Sequence, residues 1–326
     1  MTYLLIGNYG VSNLGDEALR DYFLRSFPEI EWQVVSACPT VGELHRLPAG
    51  LRSFFSFRWI PTLRALYRSD GVVLGGGSLF TDIESPKACF LWWIHTAAAR
   101  LFRKKIILAF QGIGPFHTLR GKMFARRAVR SANFLSVRDT LSLQRAKSFS
   151  PRTSVIESFD PIFLSVPKRA QDISSQHTIV LIPRKNSGDV FVSRAQDLVN
   201  HTERWNRISV LSLQNDSHDE HEFCMFLREK FGSSCEVRSV SSLAELAEGV
   251  SEGSFVLTER YHGAIAALAL GRDLEVLAQG ENDKLDAIRL MMQGTPAHGR
   301  ADRLRDLVLQ GELALKEELY GSAKLL

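Results

Sequence analysis

Short apolar runs that end in glycine or a charged residue, each followed by apolar positions at helical spacing, restrict this chain more than any other feature. Residues 3–6 run into Gly7-Asn8-Tyr9-Gly10-Val11-Ser12-Asn13-Leu14-Gly15-Asp16-Glu17, after which Leu19, Tyr22, Phe23 and Phe27 return at helical spacing. Residues 33–36, 71–74, 105–110 and 134–137 repeat the strand pattern, and basic or apolar helical stretches lie between them. A β-α-β-α alternation of this kind predicts a parallel, doubly wound sheet with its strand-end loops at one edge. Open sheets of that class bind ligands at the carboxyl ends of their strands.

Residues 166–176 are polar, carry Pro167 and two serines, and lack apolar periodicity, so they are expected to be a linker. A second alternation follows, with strands expected at 178–182, 208–213, 236–238, 255–257 and 274–277. The expected organisation is α/β: two Rossmann-like domains with parallel sheets, over residues 1–166 and 177–326. The last helical stretch, residues 303–320, has apolar Leu304, Leu307, Val308 and Leu319, which suit packing on the first domain or on another chain.

With 326 residues there is chain enough for two cores, and 45% hydrophobic with 23% charged residues excludes a disordered protein. The net charge of +4 is mildly basic and suits an anionic substrate or an anionic membrane surface. Cysteines 38, 89, 224 and 235 form no C-x-x-C pair, so neither a disulfide framework nor a thiolate zinc site is expected, and a reducing cytoplasm is the expected location. Residues 1–10 lack a basic region before their apolar run, so no signal peptide is expected there. The longest apolar stretch, residues 88–99, is interrupted by His95 and falls short of the ~20 residues that span a bilayer. Between residues 52 and 68, arginines alternate with aromatic residues; arginines on the wet side of an amphipathic helix are expected there, ahead of a nucleic-acid or membrane contact.

Three glycines in residues 7–15 free the backbone at a helix amino terminus, a ready anion site. The spacing is not G-x-G-x-x-G and there is no Walker lysine, which argues against a dinucleotide fold motif and a P-loop. Asp16 is expected to cap the helix, or else to serve a sugar or act as a base. Gly75-Gly76-Gly77-Ser78 is expected as a glycine turn after a strand, either tight and empty or allowing a ligand against the backbone. Residues 254–271 read as strand, then Glu259, Arg260 and His262, then an alanine-rich helix, which sets charged side chains at a sheet edge. His218 and His221 beside Asp216, Asp219 and Glu220 are expected to be a solvated helix start and not a metal site.

The loop ending Asn13-Leu14-Gly15-Asp16-Glu17-Ala18-Leu19, Gly75-Gly76-Gly77-Ser78, Gln111-Gly112-Ile113-Gly114-Pro115, Ser136-Val137-Arg138-Asp139, Asp160-Pro161 and above all Arg260-Tyr261-His262-Gly263 resemble the polysaccharide pyruvyl transferase family. The likeness runs from about residue 5 to residue 290 in the family's motif order. Ile182-Pro183-Arg184-Lys185 is an altered version of the family's arginine-containing turn, and the chain is short for the family. The resemblance implies a GT-B-like arrangement with the two sheets facing a cleft, phosphoenolpyruvate as co-substrate with no cofactor or metal, and a saccharide or lipid-linked oligosaccharide as acceptor. It implies no nucleic-acid partner, and work at the cytoplasmic face admits peripheral membrane contact.

A pyruvate ketal forms when phosphoenolpyruvate is held by its anions, its enol carbon takes a proton and a sugar hydroxyl loses one. The planar fork of Arg suits phosphate and carboxylate, His titrates near neutrality, and a carboxylate stabilises positive charge at the former enol carbon. The roles implied are His262 as acid/base, Glu259 or Asp16 on the acceptor, and Arg260 and Arg184 on the donor anions, with Lys284 a further donor-phosphate candidate. Lys185 at the edge of the second domain and Arg138 at that of the first are also among the expected binding residues. Gly10, Asn13, Gly15, Gly76, Gly77, Ser78, Gln111 and Gly112 complete the expected binding residues, with His262 and Arg260 opposite Asp16 and residues 76–78. Two other readings stand beside this one: a glycosyltransferase of the same architecture using a nucleotide sugar, and a saccharide-binding protein without activity.

Overall fold

A computed structural model describes residues 1–11, 13–83, 85, 87–167, 177–200, 205–214, 217–278, 280–295 and 299–321. The chain divides into two compact units, residues 1–161 with 306–326, and residues 162–305. Most of the expected linker, residues 168–176, lies outside the described residues.

The first unit runs β1 (Thr2–Ile6), α1 (Leu14–Ser26), β2 (Glu31–Ser36), β3 (Leu44–His45), α2 (Leu51–Phe55), α3 (Ile60–Arg68), β4 (Gly71–Phe80), α4 (Ala88–Leu101), β5 (Lys105–Ile113), α5 (Leu119–Ser131), β6 (Phe134–Val137), α6 (Thr140–Ser148) and β7 (Val155–Glu157). Its strands pair in parallel in the order β3-β2-β1-β4-β5-β6-β7. Both faces are covered, which is why the strands read as continuous apolar runs. Leu4, Ile6, Leu74 and Leu108 pack on one side with Trp92 of α4, while Tyr3, Leu5, Val73 and Ile107 pack on the other with Phe23 and Phe27.

Three expectations are corrected here. Gly75, Gly76 and Gly77 do not form a turn after a strand; they lie inside β4, which continues to Phe80. Gly76 and Gly77 both have φ of +82°, and the register with β5 shifts between Gly77 and Phe80. Positive φ at two successive positions is open to glycine and costly for other residues, so the strand bulges where the glycines stand. Likewise β5 extends to Ile113, so Gln111 and Gly112 are strand residues. Residues 52–68 form two helices instead of one: α3 buries Thr62 and Leu66, but α2 buries nothing and leaves Phe54, Phe55 and its arginine all exposed.

The second unit runs α7 (Ile162–Ser165), β8 (Thr178–Ile182), α8 (Asp189–Asn200), β9 (Arg207–Ser212), α9 (His218–Phe231), β10 (Cys235–Ser239), α10 (Leu243–Ser251), β11 (Phe255–Thr258), α11 (Tyr261–Ala269), β12 (Asp273–Val276) and α12 (Lys284–Gln293). Its strands are parallel in the order β10-β9-β8-β11-β12. The last helix, α13 (Arg300–Tyr320), returns from Asp306 onward to the first unit. There Leu315 and Leu319 enter the aromatic cluster of Phe23 and Phe27, Tyr22 Oη donates to Glu312 at 2.6 Å, and Lys105 Nζ meets Glu318 at 2.8 Å. Among the described residues no helix is long and apolar enough to cross a membrane.

Candidate functional site

In each sheet the chain leaves the first strand to build one side and later returns to build the other. The switch falls between β1 and β4 in the first unit and between β8 and β11 in the second. At such a point the two strand-end loops diverge and leave a crevice at the carboxyl edge.

In the second unit Thr258 pairs with Ile182, so residues 183–187 and 259–262 leave the sheet side by side. The Glu259 amide donates to the Ile182 carbonyl at 3.0 Å, and the Arg260 amide donates to Thr258 Oγ1 at 2.8 Å, a local turn that ends the strand. Ser187 Oγ donates to the buried Glu259 carboxylate and also accepts from the Arg184 amide at 2.8 Å, tying the two loops together. Arg184 is half-buried and Lys185 exposed. His262 stands in the first turn of α11, its ring perpendicular to that of Tyr261 at 5.4 Å, and Lys284 Nζ lies 5.8 Å from the same tyrosine ring. Arg184, Lys185, Glu259, Arg260, His262 and Lys284 thus come to one edge of one sheet.

Arg260 is anchored more firmly than its sequence position suggests. Its Nε donates to the Pro183 carbonyl at 3.3 Å, and its Nη2 to Gln214 at 3.4 Å and to the carboxylate of Glu220. Glu220 is fully buried, and its other oxygen accepts from the amides of Leu213 (2.8 Å) and Gln214 (2.9 Å) and from Ser212 Oγ (3.2 Å). One ion pair therefore joins the ends of β8, β9 and β11. The expectation of a solvated helix start is corrected at Glu220, though His218 is exposed and pairs with Glu222 at 3.1 Å; Asp216 lies outside the described residues. Ser217 and Glu220 carry a capping-box spacing, a signal that points to a helix start but not to this use of the glutamate.

The first unit's edge is built around Asn13, not Asp16, as the cap of α1: Asn13 Oδ1 accepts from the amides of Gly15 and Asp16 at 3.1 and 3.4 Å. Asp16 instead accepts from Asn8 Nδ2 at 2.9 Å, and its Oδ1 lies 3.3 Å from where a Cβ on Gly77 would sit. Asp16, Gly76 and Gly77 are therefore neighbours within one unit. Gly10 has φ of +75° and donates its amide to Glu17 at 2.7 Å; a Cβ there would strike Ser36 Oγ at 2.1 Å. Arg46, which the sequence does not flag, organises the same loop: its Nη2 donates to Gly7 O (3.0 Å), Asn8 Oδ1 (3.2 Å) and Tyr9 O (3.1 Å), and burial lowers its pKa.

Two expected binding residues lie in the interior. Arg138 is 2% exposed, pairs with Asp160 at 3.0 Å and donates to Ser78 Oγ at 2.6 Å; it supports Ser78 and Gly112 from below and presents no surface of its own. Asp139 caps α6 through the Ser142 amide at 2.7 Å and is not the partner of Arg138. Gln111 is fully buried, donating to Leu74 O and Ala109 O at 2.8 and 3.0 Å.

The family model for polysaccharide pyruvyl transferase matches residues 13–272, which takes in the loop around Asn13, the bulged β4, Arg138, Asp160 and the edge that carries His262. The chain belongs to that family. No curated protein sequence gives a significant match to it. Among solved structures, this family member resembles Anabaena HepE in complex with UDP-glucose at 11% identity and a TM-score of 0.62, covering 98% of this chain and 99% of that one. It also resembles sucrose-phosphate synthase of Thermosynechococcus elongatus (12% identity, TM-score 0.63, 98% of each chain) and Staphylococcus aureus MnaA with UDP (10%, 0.61, 98% of this chain and 96% of that one). At such identities the likeness is one of fold, and it places the two parallel α/β sheets in the GT-B-like class.

Proposed function

We propose that this protein transfers the pyruvate unit of phosphoenolpyruvate to a saccharide of a surface polysaccharide or its lipid-linked precursor, forming a ketal and releasing inorganic phosphate. The observation that carries this reading is the convergence of Arg184, Arg260, His262, Glu259 and Lys284 at the switch point of the second sheet in a member of this family. Cations suit the carboxylate and phosphate of the donor, and the imidazole suits proton traffic.

In this reading His262 serves the proton that reaches the enol carbon and turns CH2 into CH3. One sugar hydroxyl adds to the adjacent carbon, and its proton balances the one delivered. A second hydroxyl then displaces phosphate, its proton leaving with the phosphate, and the ring closes as a ketal. Glu259 stabilises the positive charge that develops between these steps. Arg260, held by Glu220, offers a pre-set orientation to the donor, and we assign the saccharide to the loop of Gly10 and Gly15 and the bulge of β4 at Gly76 and Gly77.

The test is incubation with phosphoenolpyruvate and candidate glycans, following phosphate release and acceptor mass. Phosphate release with a gain of one pyruvate ketal, lost in His262→Gln, is the expected result. Unchanged release in that variant removes His262 from its role. Absence of phosphoenolpyruvate binding, or release of a nucleoside diphosphate from a nucleotide sugar, overturns the reading.

A further inference from the structure

Helix α2 is five residues long and buries none of them, although its sequence is Leu-Arg-Ser-Phe-Phe. Leu51 is 78% exposed, Phe55 65% and Phe57 56%, so the most apolar side chains of this segment face water together. An apolar cluster of this size within a few residues marks a contact surface, since single exposed hydrophobes are common but grouped ones are not. The segment is also built: Trp59 Nε1 donates to the Phe54 carbonyl at 2.9 Å, and the Phe54 and Trp59 rings stack at 5.6 Å. Phe57 is held at φ of +57°, which a bulky residue rarely adopts, and its side chain stays outside.

Along this stretch of the sequence the charge has one sign; Arg64 and Arg68 line a pocket with Glu31, which leaves Arg52 and Arg58 as the arginines of the cluster. From residue 44 to residue 69 there is no Asp or Glu, while Arg52, Arg58, Arg64 and Arg68 are exposed and make no ion pair among the described residues. Aromatic and aliphatic side chains flanked by unpaired arginines match the interface of an anionic bilayer, where apolar groups enter the acyl boundary and cations meet headgroup phosphates. A second copy fits poorly, because a two-fold contact would set the same arginines against one another. Single-stranded nucleic acid needs free ring faces for its bases; Phe54 and Trp59 each give one face to the other, Phe55 meets Phe54 edge to face, and Leu51 has no ring. We propose that residues 51–59 are an interfacial anchor that docks this protein, through Leu51, Phe55, Phe57 and their arginines, onto a membrane of anionic lipid. The inference stands on the patch alone and does not depend on the donor or the acceptor of the reaction.

Flotation of the full chain with vesicles tests it. Phosphatidylcholine vesicles with roughly 30% phosphatidylserine should carry the protein upward, with affinity falling as salt rises, and pure phosphatidylcholine should not. The Phe55→Ser/Phe57→Ser and Arg52→Glu/Arg58→Glu pairs should each weaken binding at least about tenfold while the thermal midpoint stays put, because none of the four side chains is packed in the core. Phe57→Gly, which suits the positive φ, should weaken flotation with no loss of stability. No flotation on anionic vesicles, equal flotation on neutral ones, or unaltered binding by both pairs would overturn the anchor. So would a dimer that the phenylalanine pair abolishes, or oligonucleotide binding tighter than vesicle binding.

Discussion

The guanidinium of Arg260 donates to the carboxylate of Glu220, a side chain with no exposure to solvent. The two residues are far apart in sequence, and their bond joins the turn that carries His262 to the start of α9. Glu220→Ala removes the charged acceptor of Arg260, which keeps Pro183 O and Gln214 Oε1, and leaves the amides of Leu213 and Gln214 without theirs, so a loss of about 3–5 kcal/mol is expected, read as a lower urea midpoint. Arg260→Lys keeps the charge but not the fork, so phosphate release should fall while the midpoint moves less.

Arg138 and Asp160 form a second buried pair, 2% and 0% exposed, beneath Ser78. Asp160→Asn removes the carboxylate charge that faces the buried guanidinium, and a destabilisation of about 3–5 kcal/mol is expected from chemical denaturation. Ser78→Ala removes only one partner of Arg138 and should cost about 1–3 kcal/mol.

Gly263 sets how closely α11 lies on its sheet. A Cβ there would stand 2.8 Å from Ile182 Cδ1 and 2.9 Å from Thr258 Oγ1. Gly263→Ala is expected to lose roughly 1–3 kcal/mol and to displace His262, so phosphate release should fall together with the thermal midpoint. Gly50→Ala, with open space around its Cβ, serves as the comparison and should leave both unchanged.

His95 gives stability a pH dependence of its own. Burial, opposed in part by the Leu91 carbonyl and reinforced by the nearby Arg46 charge, lowers its pKa from 6.5 to about 4. The neutral ring accepts the Leu47 amide on Nε2 at 3.0 Å and donates from Nδ1 to Leu91 O at 2.9 Å; a proton on Nε2 would face that amide. The unfolded chain therefore binds a proton that the folded chain refuses. The contribution is fully present above about pH 6.5 and is lost as pH falls toward 4, on the order of 3 kcal/mol in all. Denaturation midpoints across that range should show this part of the slope in the wild type and not in His95→Gln.

The placement of the candidate residues at one sheet edge was legible before any tertiary contact was known. Arg184, Glu259, Arg260 and His262 directly follow apolar strands, and a side chain just past a parallel strand can only lie at the carboxyl edge. Glu220 was not legible, because its capping-box position reads the same whether the carboxylate turns to its own helix or inward to the next strand end. Asn13 holds the cap expected of Asp16 for a similar reason, since both residue types cap helices and only the position of the first turn separates them. The glycines of β4 read as a loop in the sequence because glycine usually interrupts a strand; here neighbouring β5 supplies the pairing that carries the strand through its bulge.

Periodicity and turn chemistry act over a few residues, and they suffice for the alternation of strand and helix, the parallel sense of both sheets and the edge on which the charged loops stand. The strand order that puts β8 beside β11, the inward turn of Glu220, the burial of Arg138 and the exposure of α2 arise from long-range packing. Those depend on which surfaces meet, and no local preference within Leu-Arg-Ser-Phe-Phe says whether a core is there to receive it.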